Sequence, residues 1–201
     1  GGGKDDPRFA DRLIDGLHRN AERLARIIAD LLDLSRLDAG HYRLERQPVD
    51  VAAAVGQAVT AVEHAATTRG STVTVAVPPG CAVLADPKAL DQVLVNLLDN
   101  AVKYAPAGGK VEVRAVPADR GVRIEVADDG PGLAPVHRDR VFERFYRVDP
   151  GRSRDQGGTG LGLSIVKHLV ESMGGTVGVD ANQPTGSVFW CALPRPAAAS
   201  A

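Results

Sequence analysis

Apolar residues recur at alternating spacings of three and four over residues 9–35. This spacing forms a heptad seam and predicts one long helix. Asn20 occupies a polar position in the seam, and a second apolar row of Ile14, Ala21 and Ile28 widens it. Because the stripe is wider than a two-stranded coil needs, the helix is expected to pack in a multi-helix bundle. The seam itself consists of Ala10, Leu13, Leu17, Leu24, Ile27, Leu31 and Leu34.

Beyond Gly40 the pattern changes to short elements. Strands are predicted in adjacent pairs with helices between the pairs, which indicates an α+β sandwich with a mixed or largely antiparallel sheet. Pro48 favours extended backbone before a first short strand, so a domain boundary is expected near 40–48. The predicted helices are 52–68, 87–104 and 160–173, and the predicted strands are 71–77, 81–85, 110–116, 121–127, 175–180 and 186–193. The tail at 196–201 is expected to be disordered.

Charge and cysteine content narrow the class of protein. The 24 basic and 25 acidic residues nearly cancel, so nucleic acid and anionic membranes are not indicated as partners, and any anion site must be local. Apolar runs are short and interrupted by charge, which predicts a soluble segment. Cys81 and Cys191 lie far apart without a C-x-x-C motif, so buried thiols in a reducing compartment, the cytoplasm, are expected.

The first cluster of candidate functional residues lies on the predicted helix 87–104. Asn96 and Asn100 are separated by four residues and share one face, with Lys103 one turn further along. Their apolar neighbours predict a well-buried helix, in which side-chain amides need partners. A solvated helix face is the alternative, but burial favours a binding site.

A second cluster, residues 128–132, follows the predicted strand 121–127. Glycine at a strand end lets the backbone approach a ligand closely, and the carboxylate of Asp128 can accept a hydrogen bond from an exocyclic amine. Taken alone, an Asp-Gly pair after a strand more often indicates a hairpin turn.

Glycines dominate a third cluster, residues 157–163, which leads into the last predicted helix. Clustered backbone N–H groups at a helix N-terminus bind anions, so we interpret this run as a phosphate cradle. Its spacing fits neither the Rossmann fingerprint nor a Walker A loop. A flexible linker is the alternative.

The fourth cluster, residues 142–147, lies in a span with little regular pattern that extends to Gly158. Spans of this length are usually lids or disordered segments. Phe142 and Phe145 are expected to anchor the loop while Arg147 reaches a phosphate. A surface apolar patch with solvated arginines is the alternative.

In chain order (96–103, 128–132, 142–147 and 157–163) the clusters resemble the N, G1, F and G2 boxes of sensor histidine kinases, in the superfamily that also holds gyrase and the mismatch-repair ATPases. Residues 30–40 resemble the end of the second helix of that family's dimerisation domain, and Gly174, Gly175, Gly186, Ser187 and Phe189 resemble its closing strands. The resemblance implies a Bergerat-type ATP-binding fold, a mixed sheet with helices on one face, preceded by one long helix. It also implies a partial dimerisation domain at 1–40, a linker at 41–48 and an ATP-binding catalytic domain at 49–195.

The resemblance further implies roles around the phosphates. Asn100 would hold Mg²⁺ with Asn96 assisting, and Lys103 would contact phosphate. Arg147 would contact the terminal phosphate. Asn96, Lys103 and Arg147 would therefore be the catalytic residues. A hard cation held by few protein oxygens and several phosphate oxygens is typical of Mg²⁺.

At the base, the resemblance implies that Tyr104 lies against the adenine and that Asp128 binds its amino group. Gly130 and Gly132 would shape the base pocket. The remaining implied ATP contacts are Arg144, Gly158, Thr159, Gly160, Leu161, Gly162 and Leu163.

The implied activity is that of an ATP-dependent protein histidine kinase catalytic domain, which donates the terminal phosphate of Mg-ATP to an acceptor histidine. None of the five histidines stands in a sequence like H-E-x-R-T-P, so the acceptor is expected outside this chain, and self-phosphorylation is not expected. His18 lies outside the heptad seam and is interpreted as a surface residue. The implied partners are a helical domain with the acceptor histidine, a response regulator and a second copy of the N-terminal helix. The parent protein could be anchored in the inner membrane.

Asn96 bears on the alternatives within the superfamily. Its ATPases and anti-sigma serine kinases resemble this chain but carry glutamate at that position, as the base that activates water or a hydroxyl. Asparagine cannot accept a proton, which argues against hydrolysis and serine phosphorylation. A non-catalytic adaptor that dimerises through the helix and binds nucleotide for regulation stays open.

Overall fold

A computed structural model describes residues 7–38, 43–118, 121–148 and 159–196. It contains one long N-terminal helix followed by an α+β sandwich, as the sequence predicts. The helices are α1 (Pro7–Asp38), α2 (Val51–Arg69), α3 (Pro87–Tyr104), α4 (Pro135–Arg138) and α5 (Gly162–Ser172), and a 3₁₀ turn covers Arg140–Phe142. The strands are β1 (Gln47–Asp50), β2 (Thr72–Ala76), β3 (Ala82–Ala85), β4 (Lys110–Ala118), β5 (Gly121–Asp128), β6 (Thr176–Ala181) and β7 (Ser187–Pro194).

Five strands form the main sheet, in the order β2-β4-β5-β7-β6. β2 and β4 are parallel, with Thr72 opposite Lys110, and the other neighbouring pairs are antiparallel. Since both strand orientations occur, the sheet is mixed, and the predicted fold class is confirmed. β1 and β3 form a separate antiparallel pair in which Pro48 faces Leu84.

The core lies between the main sheet and the helices that pack against it. α3 contributes its largest side chains, Leu90, Leu94, Leu97 and Leu98, all fully buried. On the sheet, alternate residues such as Val113 and Ile124 are buried. The intervening residues include the ion-paired Arg114 and Glu125 (3.1 Å) and form a charged outer face. This alternation is the pattern of a sheet covered on one side.

Local chemistry explains where α3 begins. Asp86 caps the helix by accepting hydrogen bonds from the backbone N–H groups of Lys88 and Ala89, both at 3.0 Å. Pro87 occupies the first helical position, where its missing N–H costs nothing. The other carboxylate oxygen of Asp86 accepts from the N–H of Glu45 at 2.9 Å, so one side chain holds both α3 and the segment before β1.

Two features differ from the expectations. The span after β5 was expected to lack regular structure, yet it contains α4 and the 3₁₀ turn, because Pro135 starts a short helix at its first turn. β1 begins at Gln47, within the predicted linker, because Pro48 is tolerated in an edge strand. The other predicted domain limits, at residues 40 and 195, remain predictions. The tail beyond residue 196, which was expected to be disordered, lies outside the described residues.

The α1 helix presents apolar side chains to solvent. Its large exposed residues are Leu13, Ile14, Leu17, Leu24, Ile28, Leu31 and Leu32, whereas Leu34 near its end is buried in the core. In the described part of the chain, no helix combines the length and the apolar character that crossing a membrane requires.

The structure gives the two cysteines different environments. Cys191 in β7 is fully buried, and burial raises its pKa to about 12. Cys81 is half-buried, and burial also raises the pKa of its thiol. The expectation of buried thiols therefore holds fully for Cys191 alone.

Thiol reactivity should follow this difference, because the thiolate is the nucleophile. In folded protein at alkaline pH, Ellman's reagent should label one thiol, Cys81, and Cys191 should react only after denaturation. Cys81→Ser should remove the native-state reaction. Rapid labelling of native Cys81→Ser would contradict the burial of Cys191.

Gly186, at the start of β7, should be the more sensitive of two glycines. Its φ is +113°, and a Cβ there would overlap the carbonyl oxygen of Asp128, so Gly186→Ala should cost about 2–4 kcal/mol of unfolding free energy. Gly56→Ala in α2 meets no atom within 4 Å and should gain about 0.5–1 kcal/mol. Urea denaturation measures both, and equal effects would contradict the close approach.

Candidate functional site

A cleft with a volume of about 1190 Å³ opens between α2, α3 and the segments that follow β5. It is lined by residues from all four clusters singled out in the sequence. The predicted site residues along it are Asn96, Asn100, Lys103, Tyr104, Asp128, Gly130, Gly132, Arg147, Thr159, Gly160, Gly162 and Leu163. The fold therefore gathers segments that lie up to 67 residues apart, from Asn96 to Leu163.

One face of α3 forms a wall of the cleft. Asn96 and Asn100 are half-buried on it, and the ammonium group of Lys103 lies 5.2 Å from the ring centre of Tyr104. Gly162, at the start of α5, comes so close that a Cβ there would lie 3.0 Å from Oδ1 of Asn96. The N-terminal end of α5, with its backbone N–H groups and positive dipole end, is thus brought against the amide row.

Asp128 ends β5 and is 3% exposed. Its Oδ1 accepts hydrogen bonds from the N–H groups of Gly130 (2.9 Å) and Ser187 (3.3 Å). Burial raises the pKa of this carboxyl above 3.8, the two N–H donors oppose that rise, and the charge of Asp129 adds to it. The group is a desolvated acceptor at the floor of the cleft.

Glycine is required beside this carboxylate. A Cβ on Gly130 would lie 2.7 Å from both Oδ1 of Asp128 and the carbonyl oxygen of Tyr104. Gly132 has φ +74°, and its Cβ would lie 3.0 Å from the carbonyl oxygen of Gly186. Close backbone packing, and not only a tight turn, therefore requires glycine at these two positions after β5.

Three residues around Asp128 were missed as site residues. Asn182 donates from Nδ2 to the Asp128 carbonyl oxygen (2.9 Å), and Thr185 donates to the Gly130 carbonyl oxygen (2.9 Å). Ser187 lines the cleft and donates its N–H to the carboxylate. The Thr-Gly-Ser sequence at 185–187 was the available signal, because a glycine between two small polar residues marks a close backbone approach.

Arg147 lines the same cleft. Its Nη2 is buried and has no hydrogen-bond partner among the residues that the structure describes. The loop that carries it is tied to the third cluster, since the N–H of Phe145 donates to the carbonyl oxygen of Gly160 at 2.9 Å. A guanidinium nitrogen that is buried in a cleft without a partner can donate to an anionic group.

The expected anchoring of this loop is half right. Phe142 is buried and meets the ring of Phe189 edge-on, with ring centres 6.4 Å apart. Phe145 is 60% exposed, so it does not anchor the loop. Its φ of +62° turns the chain so that Tyr146, and not Phe145, faces the cleft.

The remaining predicted site residues lie elsewhere. Arg144 borders a second, smaller cavity with Lys167 and His168, away from the large cleft. Leu161 is fully buried beneath the cleft, and its N–H donates to the hydroxyl of Thr159 at 3.2 Å. Gly158 lies outside the described residues.

The donor set bears on a metal ion. Among residues 7–38, 43–118, 121–148 and 159–196, no group of three or more His, Cys, Asp or Glu side chains could hold one. The side-chain oxygens of Asn96 and Asn100 are hard ligands on the cleft wall, which suits a cation that takes most of its oxygens from phosphate and water.

Comparison with known proteins gives the family. Residues 85–197 match the family described as histidine kinase-, DNA gyrase B- and HSP90-like ATPase, and this match covers more than half of the chain. The chain belongs to this family. This membership confirms both the resemblance to sensor histidine kinases and the predicted fold class. The part of the chain after α1 is an ATP-binding catalytic domain of the histidine kinase type.

Individual relatives support membership of this family. The sensor-like histidine kinase SenX3 of Mycolicibacterium smegmatis is 37% identical over 191 residues, which cover 95% of this chain and 50% of SenX3. The sensor histidine kinase CusS of Escherichia coli strain K12 is 37% identical over 190 residues, 93% of this chain and 39% of CusS. The structure of full-length ShkA in complex with AMPPNP is similar with a TM-score of 0.78 at 36% identity, covering 92% of this chain and 38% of ShkA. The chain thus spans half or less of these relatives.

For this ATP-binding domain, Asp128 should control affinity for adenine nucleotides. Asp128→Asn replaces one carboxylate oxygen by an NH₂ group. Whichever way the amide is turned, this donor faces either the N–H of Gly130 or the donor group of the ligand, so ATP affinity should fall about tenfold or more. Asp180→Asn, on the exposed edge strand β6, is the matched control and should bind ATP normally. Calorimetry measures both, and normal affinity in Asp128→Asn would overturn this assignment.

The raised pKa of Asp128 adds a pH dependence. Binding needs the ionised acceptor, so affinity is full above the folded pKa and is lost as the pH falls through it. Because burial raises that pKa, the loss should begin at a higher pH than for an ordinary aspartate. Calorimetry over a pH series that falls from about 7 toward the ordinary aspartate pKa of about 3.9 should show a steeper decline for the unchanged protein than for Asp128→Asn. Parallel declines would contradict the ionised-acceptor role.

Proposed function

We propose that this chain binds Mg-ATP in the cleft and donates the terminal phosphate to a histidine on a separate helical domain. The observation that carries the proposal is the polarity of the cleft. The buried carboxylate of Asp128 lines it, and so does Arg147, whose buried Nη2 has no hydrogen-bond partner among the described residues. The amides of α3 and the glycine-rich start of α5 line it as well.

At the base end, Asp128 would accept from the adenine amino group. Its Oδ1 is already held by two backbone N–H groups, which leaves acceptor capacity for a ligand. Guanine carries a carbonyl oxygen where adenine carries that amine, so a desolvated carboxylate rejects it. Tyr104, 39% exposed at the rim, would lie against the ring, and Gly130 and Gly132 would leave room for it.

At the phosphate end, this chain would supply positive charge and N–H groups. Lys103 and Arg147 would contact phosphate oxygens, and Thr159, Gly160, Gly162 and Leu163 would present backbone toward them. Asn100, assisted by Asn96, would hold Mg²⁺, which when bound neutralises phosphate charge. The roles of Arg144, Leu161 and Gly158 remain predictions by resemblance.

The choice of acceptor follows from Asn96. It occupies the wall of the cleft, and an amide cannot take a proton from water or from a hydroxyl group. An imidazole attacks without such a base, and phosphoryl transfer asks the protein mainly for alignment and charge neutralisation. The arrangement therefore favours transfer to histidine over hydrolysis.

The partners follow from α1 and from the relatives. Its exposed apolar residues, such as Leu17 and Leu24, would be covered by a second copy and by the acceptor helices in a bundle. On this proposal residues 1–40 belong to a dimerisation domain, residues 49–195 form the catalytic domain, and a response regulator in the cytoplasm receives the phosphate. SenX3 and CusS carry the names of sensor kinases, which supports this assignment.

A transfer assay tests the proposal. With radiolabelled ATP and Mg²⁺, the chain should label a separately produced helical domain that bears the acceptor histidine of a homologous sensor kinase, and the label should be acid-labile. Asn100→Ala and Arg147→Ala should each lower the rate about 100-fold, because they remove charge alignment at the reacting phosphate. Lys167→Ala, exposed on α5 and away from the large cleft, should transfer normally.

Two results would count against this function. ATP binding without transfer to any supplied acceptor would favour a non-catalytic adaptor. Label on the chain itself that disappears in His18→Gln would identify His18, which is exposed on α1, as an acceptor.

A further inference from the structure

Tyr146 is the inward-facing anchor of the loop that carries Arg147. It precedes Arg147 directly, is half-buried and lines the cleft. Its neighbour Phe145 is turned outward by a positive φ and is largely exposed. The orientation of Arg147 therefore depends on what holds Tyr146.

His137 on α4 holds the phenol. Its Nδ1 lies 2.6 Å from the hydroxyl oxygen of Tyr146, and the two rings are tilted by 46° with centres 6.1 Å apart. The ring tautomer decides which group donates, and either direction gives the same tether. Arg140 adds a second contact, with its guanidinium carbon 4.4 Å from the ring centre of Tyr146.

This tether has a fixed base. His137 and Arg140 belong to the segment 135–142, which ends in the buried Val141 and Phe142. Phe142 packs on Phe189 of β7, so the segment is joined to the sheet. The hydrogen bond thus connects the core of the domain to a loop that is also tied by the backbone bond from Phe145 to Gly160.

We propose that His137 is a positioning residue that acts through Tyr146 to hold Arg147 toward the terminal phosphate of the nucleotide. The inference rests on the proposed function. A long arginine side chain loses rotamer freedom when it binds a phosphate, and an ordered loop backbone lowers that loss before the ligand arrives. The unpaired Nη2 of Arg147 is consistent with a group held ready.

The expected consequence is selective. Arg147 would contact the terminal phosphate, which ADP lacks, so loosening Tyr146 should weaken ATP binding and leave ADP binding intact. A purely structural role would instead lower the affinity for both nucleotides or the stability of the fold. Comparing the two nucleotides therefore separates positioning from structure.

The variants are His137→Ala, Tyr146→Phe and the double variant, with His137→Asn as the conservative replacement. Tyr146→Phe keeps the ring under Arg140 and removes only the hydroxyl. Asparagine places a polar nitrogen or oxygen near the position of Nδ1 and should restore part of the effect. His64→Ala, exposed on α2 and outside the cleft, is the matched control.

Titration calorimetry with Mg-ATP and Mg-ADP measures the preference of each variant. His137→Ala and Tyr146→Phe should each reduce the ATP-over-ADP preference roughly fivefold, the size expected for one lost side-chain hydrogen bond, with ADP affinity within about twofold. The double variant should be no worse than either single one, because both remove the same bond. The rate of transfer to the acceptor domain at saturating ATP should fall by a similar factor.

An unchanged preference in both single variants would overturn the inference, and so would equal losses for ATP and ADP or additive effects in the double variant. Thermal unfolding identifies any variant that fails to fold, and Tyr146→Phe, which keeps the ring, then decides the matter. If the unchanged protein bound neither nucleotide, the proposed function would fail as a whole, and this result is distinct from an unchanged preference in the variants.

Discussion

The structure depends on a helix that has to be buried on one side and polar on the other. α3 places Leu90, Leu94 and Leu97 in the core, and it turns Asn96 and Asn100 toward the cleft. Since successive turns repeat every 3.6 residues, the position of the first residue decides which side chains face which way. The cap and the proline at its start therefore matter as much to the cleft as to the stability of the helix.

The cap also explains how the N-terminal segment is joined to the site. Both oxygens of Asp86 are used, one for the first turn of α3 and the other for the N–H of Glu45. Arg46 adds a longer bond from its guanidinium to the carbonyl oxygen of Met173, at the end of α5. The segment before β1 is thus fixed to α3 and to the C-terminal end of α5, two helices that contribute residues to the cleft.

A second constraint is the crowded backbone around Asp128. A buried carboxylate is costly unless its oxygens are paired, and here Gly130 and Ser187 supply N–H groups to one oxygen only. Burial raises the pKa of this carboxyl, and the two N–H groups offset that rise only in part. A ligand that donates a hydrogen bond to the carboxylate relieves part of this desolvation cost. The same burial therefore costs stability when the cleft is empty and favours ligands that carry a donor at that position.

Local signals account for the parts of the fold that the sequence predicts well. The helix at 87–104 is read correctly to the residue, because Asp86, Pro87 and Pro106 mark its ends. The antiparallel pair β4 and β5 follows from alternation around a short turn. Contacts between distant segments are different, since no local pattern sets the parallel pairing of β2 with β4 or the antiparallel pairing of β1 with β3.

The candidate site likewise has features that local sequence patterns predict and features that they do not. Residue types and spacing pointed to the amide row of α3 and to Asp128, because glycine and buried polar groups leave local traces. They did not reveal that Phe145 turns outward, since a positive φ outside glycine has no sequence signal. Nor did they indicate the bond between His137 and Tyr146, which joins two side chains brought together by the path of the loop.

The net charge of the chain and the charged groups of the cleft act over different distances. The chain carries a formal net charge of −1, so long-range attraction cannot draw an anion such as ATP to it. The charged side chains that line the cleft include the buried carboxylate of Asp128 and the cationic groups of Lys103 and Arg147, beside Arg69, Asp99 and Asp129. A neutral protein can therefore select both the presence and the direction of a nucleotide, because a reversed ligand would place phosphate beside a buried carboxylate. On the proposed function, orientation and affinity would arise from the same short-range arrangement, and the loop that carries Arg147 would matter as much as the charge of its guanidinium.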